Sequence, residues 1–190
     1  AYAGEQLVLI ENEFGEIGID GGFLQDAGIQ ITEMNAGCIC CSLVGDFTKA
    51  LSQVLDQFHP DRILIEPSGV GKLSDVIRAV QSIDQQALSL NSATTVVDAV
   101  KCRMYMKNFG EFFDDQVTHA GCIVLSRTAN MQPEKLEACT ALLRQHNPTA
   151  TLITTPWDVL NGRQIQEAME GRESLAQALS SLASEQQAHD

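Results

Sequence analysis

Short, fully apolar runs alternate along this chain with segments whose apolar residues recur every three or four positions. Leu7-Val8-Leu9-Ile10, Ile63-Leu64-Ile65, Thr94 to Val97, Ile123-Val124-Leu125 and Thr151 to Thr154 have the length and β-branched content of buried strands. Ile29 to Met34 reads as a further short strand. Leu43, Phe47, Ala50, Leu51, Val54, Leu55 and Phe58 follow a helical period, with Ser42 as N-cap and His59-Pro60 as the stop. Leu73, Val76, Ile77, Val80 and Ile83 mark a second helix, Pro133 opens a third carrying Leu136, Leu142 and Leu143, and Ile165 to Leu182 carries a final stripe. Strands separated by helices predict right-handed crossovers and a largely parallel sheet. The fold class is therefore α/β, with one domain over residues 1–184 and a polar end at 185–190. In such sheets ligands collect at the carboxyl ends of the strands. The loops after Ile10, Ile65, Val97 and Leu125 all fall on that edge.

Those loops hold the reactive residues. Cys38-Ile39-Cys40-Cys41 lies between a glycine and the predicted Leu43–Phe58 helix. Thiols at a helix start ionise more readily, and thiolate is the form that binds Zn²⁺ or Co²⁺. Vicinal redox thiols, or cysteines acting as small buried hydrophobes, are the competing readings. Glu11, Glu13 and Glu16 follow a strand end, as hard donors for a cation or as a solvated acidic loop. Glu66-Pro67-Ser68-Gly69 closes a strand with a carboxylate, either a Mg²⁺ or water-positioning acid or a surface Glu in a turn. Gly69-Val70-Gly71-Lys72 is not a phosphate loop, because Glu66 and Leu73 stand where that pattern requires Gly and Ser or Thr. His59, His119, His146 and His189 lack ligand spacing and are expected at the surface.

Composition narrows the choice of partner. The 190 residues are 44% hydrophobic and 19% charged, and 12 Lys+Arg against 25 Asp+Glu give a net charge of −13. That balance is globular. It opposes phosphate backbones and anionic lipid, so neither nucleic acid nor membrane is an expected partner. No apolar run reaches the ~20 residues of a membrane span. Six cysteines, three of them in four positions, fit a reducing compartment such as the cytoplasm rather than a disulfide scaffold.

Taken together, Ile10-Glu11-Asn12-Glu13-Phe14-Gly15-Glu16, Asn35-Ala36-Gly37-Cys38-Ile39-Cys40-Cys41, Ile65-Glu66-Pro67-Ser68-Gly69 and Thr95-Val96-Val97-Asp98-Ala99 are more specific than any one alone. In order and spacing they resemble the CobW-type metal-handling GTPases, relatives of the urease and hydrogenase nickel-insertion GTPases, over about Leu7 to Thr155. The resemblance implies a three-layer P-loop NTPase fold with helices on both faces of the sheet. It also implies GTP hydrolysis with Mg²⁺ and delivery of Zn²⁺, Co²⁺ or a similar ion to a client metalloprotein, for metalloenzyme or cofactor maturation such as cobalamin biosynthesis. By position, Cys38, Cys40 and Cys41 match the family's metal-binding thiols, and Glu11 and Glu16 its switch acids. Glu66, as catalytic acid, and Gly69 match its nucleotide-sensing E-x-x-G. A second subunit can supply a fourth metal ligand, which makes a homo-oligomer part of the expectation.

Two departures follow from the same comparison. The family's phosphate loop and its central strand belong upstream of Leu7, so the 190 residues are expected not to hydrolyse GTP by themselves and to leave unpaired sheet edges. The guanine-reading N-K-x-D is replaced by Ser126-Arg127-Thr128-Ala129. Ala129 has no carboxylate for the guanine N–H groups, so weakened base selectivity is expected, with Ser126, Arg127 and Thr128 still at the nucleotide. Two readings from other classes compete with a GTPase: a non-catalytic metal-binding or interaction module, and a thiol redox protein.

Overall fold

The computed structural model describes residues 2, 4–11, 30–31, 44–67, 69–84, 86–171 and 179. The described elements run β1 (Leu7–Glu11), β2 (Gln30–Ile31), α1 (Val44–Phe58), β3 (Arg62–Glu66), α2 (Leu73–Gln81), β4 (Thr94–Asp98), α3 (Cys102–Asn108), α4 (Gly110–Thr118), β5 (Cys122–Ser126), α5 (Pro133–His146), β6 (Thr151–Ile153), a 3₁₀ turn (Trp157–Val159) and α6 (Gly162–Met169). Every described strand pair is parallel. The α/β alternation read from the apolar pattern is therefore the architecture. The chain divides into two compact units, Tyr2–Gly71 with Asp75–Ser89, and Lys72–Ser74 with Leu90–Asp190.

The first unit holds a sheet of order β2-β1-β3. Leu7 lies opposite Arg62 and the register continues to Glu11 opposite Glu66. Phe47, Leu51 and Val54, at i, i+4 and i+7 of α1, are buried, as are Val8 and Ile10 of β1 and Val76, Ile77 and Val80 of α2. This is the helical stripe that the sequence predicts, hidden on one face. The stop at His59 has a physical form: its φ is +44°, a left-handed value suited to ending a helix, and its N–H donates to the Leu55 carbonyl at 3.1 Å. Gln6 then binds the helix end, donating from Nε2 to the Phe58 carbonyl at 2.8 Å. Ser42, the predicted N-cap, lies outside the described residues, as do Ile29 and most of the strand expected around it.

The second unit holds a sheet of order β4-β5-β6. Its middle strand is the most deeply buried, with Cys122 through Leu125 all inaccessible. Val97, Phe113, Val117, Ile123, Leu125, Leu143 and Ala150 form one apolar cluster around it. α3 and α4 answer to no predicted element, since no helix is read between Asp98 and Ile123. Their apolar positions are sparse, and Phe109-Gly110 interrupts the period between them. Tertiary packing supplies what propensity does not: Tyr105 sets its ring 5.8 Å from Phe109 and 6.1 Å from Phe113.

His119 corrects the expectation of a surface residue, for it is buried at the end of α4. Its Nδ1 lies 3.0 Å from the Asp115 carbonyl and 3.3 Å from Asp115 Oδ2. Asp115 also accepts from the Ser74 amide at 3.0 Å and from the Ser74 hydroxyl at 2.7 Å. Burial alone pushes the Asp115 carboxyl up, but the hydrogen bonds from His119 and Ser74 outweigh it and hold the carboxyl below its ordinary range. The group is thus a charged acceptor in the folded state at neutral pH.

Asn147 holds the exit of α5 in register with β6. Its amide nitrogen donates to the carbonyls of Val117 at 2.8 Å, Ala120 at 2.9 Å and Thr118 at 3.1 Å. Its carbonyl oxygen accepts from the Ala150 amide at 2.9 Å and the Thr149 amide at 3.2 Å. One buried side chain therefore satisfies backbone groups on both sides of β5. Asn147→Ala is expected to lower the unfolding free energy by about 3 kcal/mol, since it strands several buried polar groups at once. Denaturant unfolding of both proteins checks this; a loss under about 1 kcal/mol contradicts it.

Candidate functional site

Parallel pairing carries the ends of β4 and β5 to the same edge, with Asp98 directly opposite Ser126. Asp98 organises that edge. Its Oδ1 accepts from the amides of Val100 at 2.9 Å and Lys101 at 3.2 Å, closing the turn into α3. Its Oδ2 lies 3.3 Å from Arg127 Nε. Arg127 itself takes φ of +61°, unusual for a residue with a Cβ, and this turns the chain sharply off the end of β5. The Ser126 hydroxyl donates to the Val97 carbonyl at 3.3 Å. Thr128 is buried, and its hydroxyl oxygen is the buried side-chain polar atom without a hydrogen-bond partner among the described residues.

The loop after β6 completes the site. Trp157, in the 3₁₀ turn, donates from its indole nitrogen to the Leu125 carbonyl at 2.9 Å. That bond fixes the ring against the end of β5 while leaving half of its surface exposed. Ser126, Arg127, Thr128 and Ala129 on one side, and Pro156, Trp157 and Asp158 on the other, line an open cavity of about 330 Å³. This volume is at the small end of ligand sites and suits one flat ring system with a polar edge.

The structure therefore brings Ser126, Arg127 and Thr128 together in one cavity. Pro156, Trp157 and Asp158 were not read from the sequence as site residues. The available signal was a lone tryptophan following Pro156 just past the last strand.

Glu66 ends β3, exposed, with its backbone in register with that of Glu11 at the end of β1. A Cβ on Gly69 would meet nothing within 4 Å, so packing does not account for glycine there. Cys38, Cys40, Cys41 and Glu16 lie outside the described residues. Among the described residues no three His, Cys, Asp or Glu side chains converge. The remaining cysteines are core residues. Burial pushes the Cys122 thiol up to about 11. A hydrogen bond with Cys139, and then burial, hold Cys102 protonated far above the ordinary thiol range. Neither is poised to act as a thiolate at neutral pH.

The sequence of the whole segment decides the family. The model of the CobW/HypB/UreG nucleotide-binding domain matches residues 1–154. This chain belongs to that family. Among curated relatives of this CobW-type chain is the zinc chaperone YeiR of Escherichia coli, 29% identical over 159 residues, 83% of this chain and 48% of YeiR. The zinc chaperone CobW of a Sinorhizobium species is 30% identical over 164 residues, 71% of this chain and 46% of that protein. The zinc chaperone YjiA of Escherichia coli is 31% identical over 157 residues, 78% of this chain and 49% of YjiA. The chain thus spans about half the length of these relatives. The crystal structure of the Zn(II)-bound YjiA GTPase superposes with a TM-score of 0.64 at 22% identity, covering 89% of this chain and 54% of that one. The shared fold is the P-loop GTPase α/β fold, parallel strands with helices on both sides.

The orphaned hydroxyl of Thr128 provides a test of the cavity's wall. A buried donor without a partner costs about 1–3 kcal/mol, which an isosteric methyl avoids. Thr128→Val is expected to raise the unfolding free energy of the nucleotide-free protein by about 1 kcal/mol. Thermal or denaturant unfolding measures it, and a destabilised variant would show that the hydroxyl has a partner.

Proposed function

We propose that this protein is a CobW-type GTPase that carries a divalent metal ion, Zn²⁺ foremost, and releases it to a client metalloprotein in the cytoplasm. The observation that carries this reading is the family match across residues 1–154, which takes in the thiol run, both acidic loops and the base loop together. The names of the relatives point the same way: YeiR, CobW and YjiA are all zinc chaperones. No helix among the described residues is long and apolar enough to cross a membrane.

In this reading Cys38, Cys40 and Cys41 hold the metal cargo as thiolates, with Glu11 or Glu16 as a harder donor or a second subunit completing the set. Three thiolates around one divalent ion leave net negative charge, which the start of α1 partly offsets. Incomplete closure of the donor set suits an ion meant to be passed on. GTP takes its base into the cavity of Ser126–Ala129 and Pro156–Asp158. Glu66 and Gly69 are the nucleotide-sensing residues, Glu66 orienting water for attack. Mg²⁺, when bound with GTP, neutralises charge on the phosphates. Glu11–Asp20 and the thiol segment then act as the switch elements that couple nucleotide state to metal release.

The chemistry that separates this reading from a redox or purely structural role is metal–thiolate bonding. Co²⁺ added to the reduced protein is expected to give a thiolate-to-metal charge-transfer band that saturates at one equivalent. The band should weaken as pH falls, because each ligand must first lose a proton. Cys40→Ala should cost 10-fold or more in affinity, while Cys122→Ala should leave the band unchanged, since Cys122 is sealed in β5. No band, or one indifferent to Cys40→Ala, would remove the metal-carrying role.

A further inference from the structure

We propose that Asp158 selects the base in this protein, supplying from the loop after β6 the carboxylate that position 129 lacks, and that the nucleotide it selects is guanine. The proposal rests on the nucleotide-binding reading above and concerns only how the base is recognised. Of the seven residues lining the cavity, Asp158 is the sole acid and Arg127 the sole base. Arg127 is engaged by Asp98, Nε to Oδ2 at 3.3 Å, on the β4 side. Asp158 makes no hydrogen bond or ion pair with the described residues. Its neighbour Trp157 is held in place by the bond to the Leu125 carbonyl and offers an exposed aromatic surface to the same cavity. A flat base stacked on that indole brings its hydrogen-bonding edge toward the Asp158 carboxylate.

The chemistry of that edge sets the selectivity. Guanine presents two adjacent donors, N1–H and the 2-amino group, which a carboxylate accepts in a bidentate pair. Adenine presents an unprotonated N1 at the same place, which repels a carboxylate and leaves it desolvated without a partner. Ala129 can do neither. The expectation of weakened guanine selectivity rests on position 129 alone; the Asp158 carboxylate elsewhere in the same cavity changes it.

The test uses the complete protein and nucleoside diphosphates labelled with a fluorophore on the ribose, so that the base is unmodified. GDP is expected to bind at least about 10-fold more tightly than ADP, the scale of a charge-assisted bidentate pair. Asp158→Asn converts the acceptor pair into one acceptor and one donor, matching the N1–H and O2 of xanthine. That variant is expected to lose about 10- to 100-fold in GDP affinity and to gain affinity for XDP, reversing the order of the two. Ala129→Asp added to it should restore GDP binding. Asp158 is exposed, so thermal unfolding should be unchanged by its substitution. A GDP/ADP ratio near one, or GDP and XDP affinities that ignore Asp158→Asn, overturns the inference while leaving the GTPase reading in place. Absence of any nucleotide binding overturns both.

Discussion

Parallel pairing of β4, β5 and β6 is the constraint on which the candidate nucleotide site depends. Parallel strands put every carboxyl end on one edge, so the loops after β4, β5 and β6 are neighbours however far apart they lie in sequence. The register sets Asp98 beside Ser126, and from there one carboxylate closes the turn into α3 while facing Arg127. Hydrogen bonds extend the same logic to β6. Asn147 ties the end of α5 to the backbone on either side of β5, and Trp157 returns to the Leu125 carbonyl. A buried strand paired on both sides thereby fixes the two loops that line the cavity. Rigid scaffold and exposed loop ends are the usual division of labour at ligand sites.

The cysteines show the opposite assignments one side chain can receive. Cys102, Cys122 and Cys139 are sealed in the apolar interior of the second unit, where a hydrogen bond with Cys139 and then burial keep Cys102 protonated, and burial alone does so for Cys122. Such thiols behave as small hydrophobes. Cys38, Cys40 and Cys41 instead follow Gly37 in the sequence just ahead of the residues that open α1, the run proposed to carry the metal. Sequence setting, rather than cysteine count, separates packing from proposed metal chemistry here.

The strands and the longer helices were legible because burial imposes a period on the residues that carry it. Leu7 to Ile10, Ile63 to Ile65 and Ile123 to Leu125 are apolar throughout because parallel strands are covered on both faces. Phe47, Leu51 and Val54 mark α1 because only one stripe of that helix is hidden. α3 and α4 leave no such period because each is short, and Tyr105, Phe109 and Phe113 meet only in three dimensions. The burial of His119 has no sequence signal for a related reason: its partner Asp115 is four residues away on α4, a helix without a clear apolar period. The candidate site was half legible. Ser126 to Thr128 follow a recognisable strand in a recognisable family pattern, whereas Trp157 and Asp158 join them only through a bond from an indole nitrogen to a backbone carbonyl in another strand. No local pattern in the sequence encodes that contact.

Trp157 makes the account directly measurable, because it is the only tryptophan in the chain and its ring forms one wall of the cavity. If a nucleotide base occupies that cavity, GDP added to the complete protein changes the intrinsic tryptophan fluorescence along a saturable curve. Its midpoint should agree with the dissociation constant found by calorimetry. A full calorimetric binding isotherm with no change in tryptophan emission would place the base elsewhere and contradict the account.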